Sequence, residues 1–334
     1  MSDCLECKSI PVVWFSASLE ILSLWRMDNL TTLCNNLDVD AGGCITPLQI
    51  FPRLKRMYLN ELPRLEIWAE NSVGEPCDSM VTFPMVEVLM VRDCPRLASI
   101  PVTPAVNELK IVGVHSTADS LIFMSICLGS WPFLARLTLG SPENIAILPL
   151  DAQQHQSESP LEKLKYLDLE DLNSLDTSSP LSIPHFMPWK RFSFVEELKI
   201  GGWKSLVRWP TEELRCLYRL RVLRIRFCDN LEGNISLSEE TLPLSLEEME
   251  IFFCKSMVAL PSNLGNLAKL RRLGLSHCTG LKALPDGMCG LTSLRELTIW
   301  DCPALEEFPH GLLQGLAALE TLSIGKCSEL QRRC

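Results

Sequence analysis

The sequence predicts an α/β repeat fold in which short coils stack into a solenoid, and three observations support this prediction. First, one apolar pattern recurs at Leu246, Leu270, Leu294 and Leu319, so that successive copies begin 24, 24 and 25 residues apart. Second, Pro and Gly follow each copy at similar places and end the extended run. Third, a coil of this length cannot bury its own apolar side chains, so its neighbours must supply the burial.

Each copy has the form L-x-x-L-x-L-x-x-C, in which the last two apolar residues alternate as on one face of a β-strand. In the copy beginning at Leu246, we expect Met249 and Ile251 to point inward and Glu250 to point outward. Segments such as residues 260–267 contain Pro and Gly and are expected to turn the chain back. The pattern therefore predicts a leucine-rich-repeat solenoid, or horseshoe, with a parallel concave β-sheet and irregular or short-helical convex arms.

The pattern also extends, less regularly, through the preceding part of the chain. Strands are predicted to follow the leading apolar residues Leu19, Leu54, Val86, Val106, Leu134, Leu164, Val195, Leu220, Leu246, Leu270, Leu294 and Leu319. Polar, Gly-rich or Ser-rich segments at residues 38–43, 152–159 and 176–182 are expected to be loops between coils. We therefore expect a single domain over residues 1–334, with about twelve coils plus an incomplete first one, and with both ends truncated.

Composition and charge exclude several classes of function. The 334 residues have a formal net charge of −10, which argues against a nucleic-acid-binding protein because such proteins need a basic surface. No apolar run reaches the length of a membrane span, and the first residues lack the pattern of a secretory signal. These features predict a protein in the cytoplasm with no membrane span.

The cysteines follow the repeat. Seven of the fifteen occupy one position of the pattern, namely Cys4, Cys94, Cys228, Cys254, Cys278, Cys302 and Cys327. This spacing favours reduced, buried thiols with a structural role. In-register strands would also bring neighbouring cysteines close together, so disulfides or a metal site remain an alternative.

Catalytic motifs are absent from the sequence. The five histidines are scattered without metal-ligand spacing, and no nucleophile elbow, zinc-protease motif or phosphate-binding loop is present. We therefore predict that the chain is not an enzyme and that it holds no cofactor or metal.

One group of residues at outward positions is predicted to bind a protein partner. Exposed aromatic side chains beside Arg are common anchors at protein interfaces. The candidate residues are Arg224, Arg226, Phe252, His277, Trp300 and Asp301. Two further aromatic residues, Phe227 and Phe253, have two possible roles, since they either join this surface or pack beneath the turn as core.

Opposite charges alternate across neighbouring predicted strands in the same region. Arg221, Glu247 and Arg271 occupy equivalent positions, and Glu250 is expected to lie beside Arg224. Strands about 4.8 Å apart would pair these side chains laterally. Such a ladder either neutralises itself, with at most about 1 kcal/mol per pair, or forms a charged strip that selects a partner.

The repeats of the form L-x-x-L-x-L-x-x-C-x-x-L-x-x-L-P resemble the leucine-rich repeats of plant nucleotide-binding leucine-rich-repeat disease-resistance proteins, especially the coiled-coil type. The resemblance is based on residues 86–101, 270–285 and 294–309, and on the closing segment from Cys327. It implies an intracellular immune receptor whose repeats bind a pathogen effector or a guarded host protein. In that family the repeats also hold the nucleotide-binding domain of the parent receptor inactive, but no such domain is present in this sequence.

A second class of function is also consistent with the repeats. F-box proteins use Cys-containing repeats of similar length as substrate adaptors for ubiquitin ligation. An F-box upstream of residue 1 would favour this alternative, whereas an upstream phosphate-binding loop would favour immune recognition.

Overall fold

The computed structural model describes residues 6–11, 18–37, 48–49, 51–71, 81–97, 99–101, 103–113, 131–140, 160–170, 189–204, 206–233 and 242–333. The chain divides into two compact units, Met1–Leu164 and Lys165–Cys334. The loops predicted at residues 38–43, 152–159 and 176–182 lie outside the described residues.

The first unit contains a parallel β-sheet with one strand for each coil. Its described strands are β1 (Ile10–Pro11), β2 (Ile21–Trp25), β3 (Thr32–Leu37), β4 (Leu48–Gln49), β5 (Arg56–Asn60), β6 (Ile67–Asn71), β7 (Val81–Thr82), β8 (Val88–Arg92), β9 (Glu108–Val112) and β10 (Arg136–Gly140). Strands β2, β5, β8, β9 and β10 pair in this order, all parallel. They confirm the first five predicted strands, and each begins two residues after its leading apolar residue.

The return arms of the first unit differ from the prediction, because they include additional strands. Strands β1, β3 and β6 form a second parallel sheet, in which Thr32 pairs with Ile67 and Cys34 with Ala69. Strands β4 and β7 form a third, shorter sheet. Thr32 and Cys34 are buried in this arm. Because the backbone here is extended, the peptide N–H and C=O groups of neighbouring coils can hydrogen-bond to each other.

The second unit contains a seven-stranded parallel sheet in its described residues. Its elements are β11 (Tyr166–Glu170), the 3₁₀ helix η1 (Trp189–Phe192), β12 (Glu197–Gly201), α1 (Thr211–Arg215), β13 (Val222–Arg226), β14 (Glu248–Phe252), η2 (Ser262–Asn266), β15 (Arg272–Ser276), η3 (Asp286–Gly290), β16 (Glu296–Trp300), α2 (Leu312–Gly315), β17 (Thr321–Gly325) and α3 (Ser328–Arg333). The strands pair in chain order from β11 to β17. The described parts of their arms include short helices, as predicted, and the strands of the two units confirm the leucine-rich-repeat fold.

The core of each coil is formed by the two inward residues of the strand and the leading apolar residue. Met249 and Ile251 are 0% and 1% exposed, whereas Glu250 between them is exposed, which confirms the predicted alternation. The leading Leu246 is fully buried. Each such side chain contributes roughly 1.5–3 kcal/mol by leaving water. Neighbouring coils supply this burial, so the stacking of coils stabilises the fold.

The repeated cysteines are free thiols in the interior. The members that lie in the described residues, Cys94, Cys228, Cys254, Cys278, Cys302 and Cys327, are all buried. The thiol of Cys278 lies 3.8 Å from the carbonyl oxygen of Ile251 on the preceding strand, and Cys302 repeats this contact with Leu275 at 3.9 Å. Burial raises the pKa of the Cys94 thiol to about 12. A protonated, buried thiol is unreactive, which supports a structural role for Cys94.

Candidate functional site

The outward side chains of the second unit form columns, because neighbouring strands pair in register. One column contains the last residue of each strand, and within it Arg226, Phe252, Ser276 and Trp300 are successive partners on β13 to β16. The next residue of each coil forms a second column. The predicted partner-binding residues therefore lie on four adjacent strands or, for His277 and Asp301, directly after them.

The second column has an unusual backbone conformation. Phe227, Phe253, His277, Asp301 and Lys326 all have φ between 53° and 57°, in the left-handed region. This conformation costs roughly 1–2 kcal/mol per non-glycine residue, and bulky side chains adopt it rarely.

Hydrogen bonds between coils maintain this backbone conformation. The N–H of Phe253 donates to the carbonyl of Ser276 at 3.0 Å, and the N–H of His277 donates to the carbonyl of Trp300 at 2.8 Å. The same contact recurs along the sheet, so the surrounding structure fixes each strained residue. The turn directs the side chains outward rather than beneath the sheet.

Four rings form a continuous aromatic cluster, which we define as Phe227, Phe252, Phe253 and His277. Phe227 stacks on Phe253 with ring centroids 5.3 Å apart, and Phe253 stacks on His277 at 4.2 Å with an interplanar angle of 2°. Phe252 meets Phe253 edge to face at 4.4 Å. Phe227 is 52% exposed, so the core alternative for this residue does not apply. The cluster is an apolar surface that is only partly shielded from water.

Trp300 lies beside the aromatic cluster and packs on a glycine. The indole covers Gly325 on β17, where a Cβ atom would clash with the six-membered ring. Trp300 is 40% exposed, and the ammonium of Lys326 lies 5.9 Å from its ring centroid. Gly325 therefore provides the space in which the indole lies.

The predicted lateral ion pairs are present in the described part of the second unit. The guanidinium of Arg221 donates to both carboxylate oxygens of Glu247 at 2.9 and 3.0 Å, and Arg271 lies 3.9 Å from the same carboxylate. The hydrogen bond from Arg221 lowers the pKa of Glu247 and raises the pKa of Arg221. Both arginine side chains are more than half exposed, although Glu247 is half-buried, so each pair contributes at most about 1 kcal/mol.

Arg224 and Arg226 are already engaged by carboxylates of the same sheet. Arg224 donates to Glu250 at 2.8 Å, and it also contacts Glu197 and, at 3.6 Å, Glu248. Arg226 lies 3.4 Å from Glu170. The charges of the ladder therefore largely neutralise one another. Net charge alone is a weak basis for partner selection by this face.

Asp168 on β11 is a buried carboxylate in the same face. It is 6% exposed, it accepts a hydrogen bond from the hydroxyl of Tyr166 at 2.9 Å, and its other oxygen has no hydrogen-bond partner. Burial raises the pKa of Asp168, and the charge of Glu170 raises it further. The fold therefore favours the protonated form of this carboxyl group.

Asp168→Asn is expected to raise stability at neutral pH, because the amide carries no charge that burial would penalise. Because its pKa is raised in the folded state, Asp168 contributes favourably to the free energy of unfolding at low pH. This contribution becomes unfavourable as pH rises through that pKa. The advantage of Asp168→Asn, about 1 kcal/mol at neutral pH, should shrink on acidification. Urea unfolding at several pH values measures this difference. A constant advantage, or an equal one for the exposed control Asp286→Asn, would contradict the expectation.

The predicted binding residues and the aromatic cluster overlap in Phe252 and His277. The structure brings Phe252, His277 and Asp301 into one contiguous group, since His277 Nδ1 lies 2.7 Å from Asp301 Oδ2 and 5.3 Å separates the rings of Phe252 and His277. Phe227 and Phe253 join the surface through the left-handed turn. Gly202 follows β12 at the position that Phe227 occupies after β13, and it also has a positive φ. A glycine at this position of the repeat is the sequence signal that could have revealed the turn.

None of the described helices has both the length and the hydrophobicity needed to span a lipid bilayer. Within the same residues, His, Cys, Asp and Glu side chains form no group of three or more arranged to hold a metal ion.

Comparisons with known proteins found similar solved structures and one matching family model. The chain is 17% identical to the protein in the TLR13–ssRNA13 complex, with a TM-score of 0.45 over 96% of this chain and 44% of that one. It is 16% identical to InlJ from Listeria monocytogenes, with a TM-score of 0.30 over 84% of this chain and 62% of that one. It is 17% identical to the GASSHO1/SCHENGEN3 ectodomain from Arabidopsis thaliana, with a TM-score of 0.36 over 94% of this chain and 36% of that one. This chain spans less than two thirds of each of these proteins. No curated protein sequence matched.

A family model gives the more specific match. Residues 183–328 match the leucine-rich repeats described as plant disease resistance protein RPS2-like. This segment includes β12 to β17 and every residue of the predicted partner-binding site. Residues 183–328 are therefore similar to the leucine-rich repeats of RPS2-like plant disease resistance proteins.

Proposed function

We propose that the outward face of the second unit recognises a protein partner and performs no chemistry. The observation that supports this most directly is the aromatic cluster, which exposes apolar rings beside the exposed indole of Trp300. Contiguous exposed aromatic side chains are typical of protein interfaces, and here they lie on or directly after paired strands of one sheet. Leucine-rich repeats are typically scaffolds for protein interaction, which agrees with this proposal.

The family match suggests the biological setting. We propose that this chain is the recognition region of an intracellular, cytoplasmic plant immune receptor of the coiled-coil nucleotide-binding type. Its partner would be a pathogen effector or a guarded host protein. In the same proposal, the repeats also pack on the nucleotide-binding domain of the parent receptor and hold it inactive. The match of residues 183–328 to repeats of plant disease resistance proteins supports this setting.

The proposed binding residues are Arg224, Arg226, Phe252, His277, Trp300 and Asp301. Within this set, Phe252 and Trp300 are expected to provide most of the binding free energy, because aromatic anchors dominate interface energetics. Arg224 and Arg226 are expected to contribute less, since carboxylates of the sheet already engage them. Their role in the proposal is to neutralise the face around the aromatic anchors.

Replacing Phe252 and Trp300 together with Ala is expected to abolish partner capture. Loss of one interface anchor typically costs 2 kcal/mol or more, roughly a 30-fold loss of affinity, and two such losses remove a complex of ordinary strength. The measurement is retention of proteins from plant leaf extract on the immobilised chain, quantified by mass spectrometry. Far-ultraviolet circular dichroism should be unchanged.

A matched control is available in the same unit. Tyr218 is 57% exposed but lies outside the aromatic cluster, so Tyr218→Ala should retain the proteins that bind the unmodified chain. Unaltered capture by the Phe252 and Trp300 double variant would refute the site, and equal loss in Tyr218→Ala would show that the effect is not specific to the proposed face.

A further inference from the structure

The outer edge of β17 presents unpaired peptide groups. In the described part of the chain, β17 pairs on one side only, with β16. The N–H of Thr321 donates to the carbonyl of Arg295, and the carbonyl of Gly325 accepts a hydrogen bond from the same preceding coil. Because successive residues of a strand direct their peptide groups to opposite edges, the N–H and C=O groups of Leu322 and Ile324 point away from β16.

The apolar side chains of this coil are uncovered as well. Leu322 and Ile324 are the two inward residues of β17, yet they are 42% and 38% exposed. Their equivalents on β16, Leu297 and Ile299, are fully buried. In the arm of the last coil, Leu313 is 49% exposed. Unpaired peptide groups and an open apolar side therefore occur together, and this is the combination that an added β-strand covers.

β17 lacks the features that protect sheet edges. Such features are charged side chains within the strand, proline, bulges, or a covering helix or loop. The strand Thr321–Gly325 contains neither a charge nor a proline, and it pairs with β16 in unbroken register. Helix α3 is bonded to the preceding coil, where the N–H of Glu329 donates to the carbonyl of Pro303 at 3.3 Å. The outer edge is therefore free to pair.

The sequence of this edge is complementary to itself when two copies run antiparallel. A two-fold axis at Ser323 places Leu322 opposite Ile324 of the second copy, and both residues direct their N–H and C=O groups toward each other. The same axis places Glu320 opposite Lys326 of the second copy. An axis at Leu322 would set Glu320 against Ile324, and an axis at Ile324 would set Lys326 against Leu322. Of these three axes, the one at Ser323 matches apolar with apolar residues and opposite charges with each other.

The two charged side chains at this edge are available to a second copy. Arg295 donates to one oxygen of Glu320 at 3.1 Å, and the Glu320 side chain is 63% exposed. A carboxylate accepts several hydrogen bonds, so an ammonium group can join this pair. The ammonium of Lys326 lies 5.9 Å from the ring centroid of Trp300, and within the described residues it forms no ion pair.

We infer that the outer edge of β17 is a dimerisation surface that takes a second copy of this chain, with the two strands antiparallel about a two-fold axis at Ser323. The axis is perpendicular to the sheet, so the inward sides of both copies lie on the same side and their apolar side chains meet. Leu322 and Ile324 thereby gain the cover that their equivalents on β16 already have. The surface includes none of the proposed partner-binding residues, so the inference goes beyond the proposed function.

Sedimentation equilibrium of the full chain under reducing conditions tests the dimer without any partner protein. A concentration-dependent equilibrium between monomer and dimer is expected. Glu320→Lys and Lys326→Glu should each weaken dimerisation by about tenfold, because the altered contact occurs twice in a two-fold dimer. Mixing the two variants in equal amounts should restore the dimer, since each then meets opposite charges. A monomer at all concentrations, or a mixture no stronger than either variant alone, would overturn the inference.

Cysteine cross-linking tests the position of the axis. Ser323→Cys places two thiols at a non-hydrogen-bonded antiparallel pair, where Cα atoms about 4.5 Å apart are within the range of a disulfide. Thr321→Cys is the matched control, because it lies opposite Gly325 and about 13 Å along the strand from its own counterpart. With oxidised glutathione as oxidant, and the unmodified chain as baseline for the native cysteines, only Ser323→Cys should give additional covalent dimer. Cross-linking of Ser323→Cys no greater than that of Thr321→Cys would contradict this register.

Discussion

Replacing Leu297 with Ala is expected to lower the free energy of unfolding by about 2–5 kcal/mol. Leu297 is the first inward residue of β16 and is fully buried between β15 and β17, where it pairs in register with Leu273 and Leu322. The change removes buried apolar surface and leaves a cavity that flanking strands cannot fill, since their hydrogen bonds fix their spacing. Urea unfolding of the full chain, monitored by circular dichroism, measures the loss.

A matched control for Leu297 lies on the neighbouring strand. Leu322 occupies the same position of the repeat on β17 but is 42% exposed, because β17 pairs only with β16 in the described residues. Leu322→Ala should therefore cost about 1 kcal/mol. Equal losses for the two variants would show that burial by the neighbouring coil does not determine the stability of a coil.

Gly265→Ala is expected to destabilise the chain by about 1–3 kcal/mol through overpacking between arms. Gly265 lies in η2, and a Cβ atom there would clash with the backbone carbonyl of Gly287 in η3. A backbone obstacle cannot rotate away as a side chain can, so the two arms would have to separate. A lower midpoint of urea unfolding, with an unchanged dependence on urea concentration, is the expected result.

Gly287→Ala provides the same chemical change at a site with space. A Cβ atom at Gly287 would be 3.9 Å from its nearest neighbour, and Gly287 is exposed. We expect a change within about 0.5 kcal/mol of the unmodified chain. If Gly287→Ala were as destabilising as Gly265→Ala, the close contact between the arms at Gly265 would not explain the loss.

The charged ladder and the aromatic cluster have different roles on the outward face. Arg221 and Glu247 illustrate the ladder, in which each charge has a partner on the next strand and little remains for another molecule. Partner choice through this face is therefore expected to depend on the shape of the aromatic cluster more than on charge.

The sequence by itself determined the spacing of the strands and which residues face inward. The period of the leading leucines predicted all twelve strands from β2 to β17 that belong to the repeated pattern, and the alternation of Met249, Glu250 and Ile251 predicted their burial. Lateral pairs such as Arg221 with Glu247 followed from the same register. Period and alternation are local properties of the chain, so they can be read without coordinates.

Only the tertiary structure decided how the residues after each strand are directed. The sequence left both a surface role and a core role open for Phe227 and Phe253. Their left-handed backbone, which decides between these roles, is maintained by hydrogen bonds with the next coil. The place of Trp300 above Gly325 and the contact of His277 with Asp301 also depend on neighbouring coils. These features join residues about 24 positions apart, and their geometry is fixed only when the coils stack.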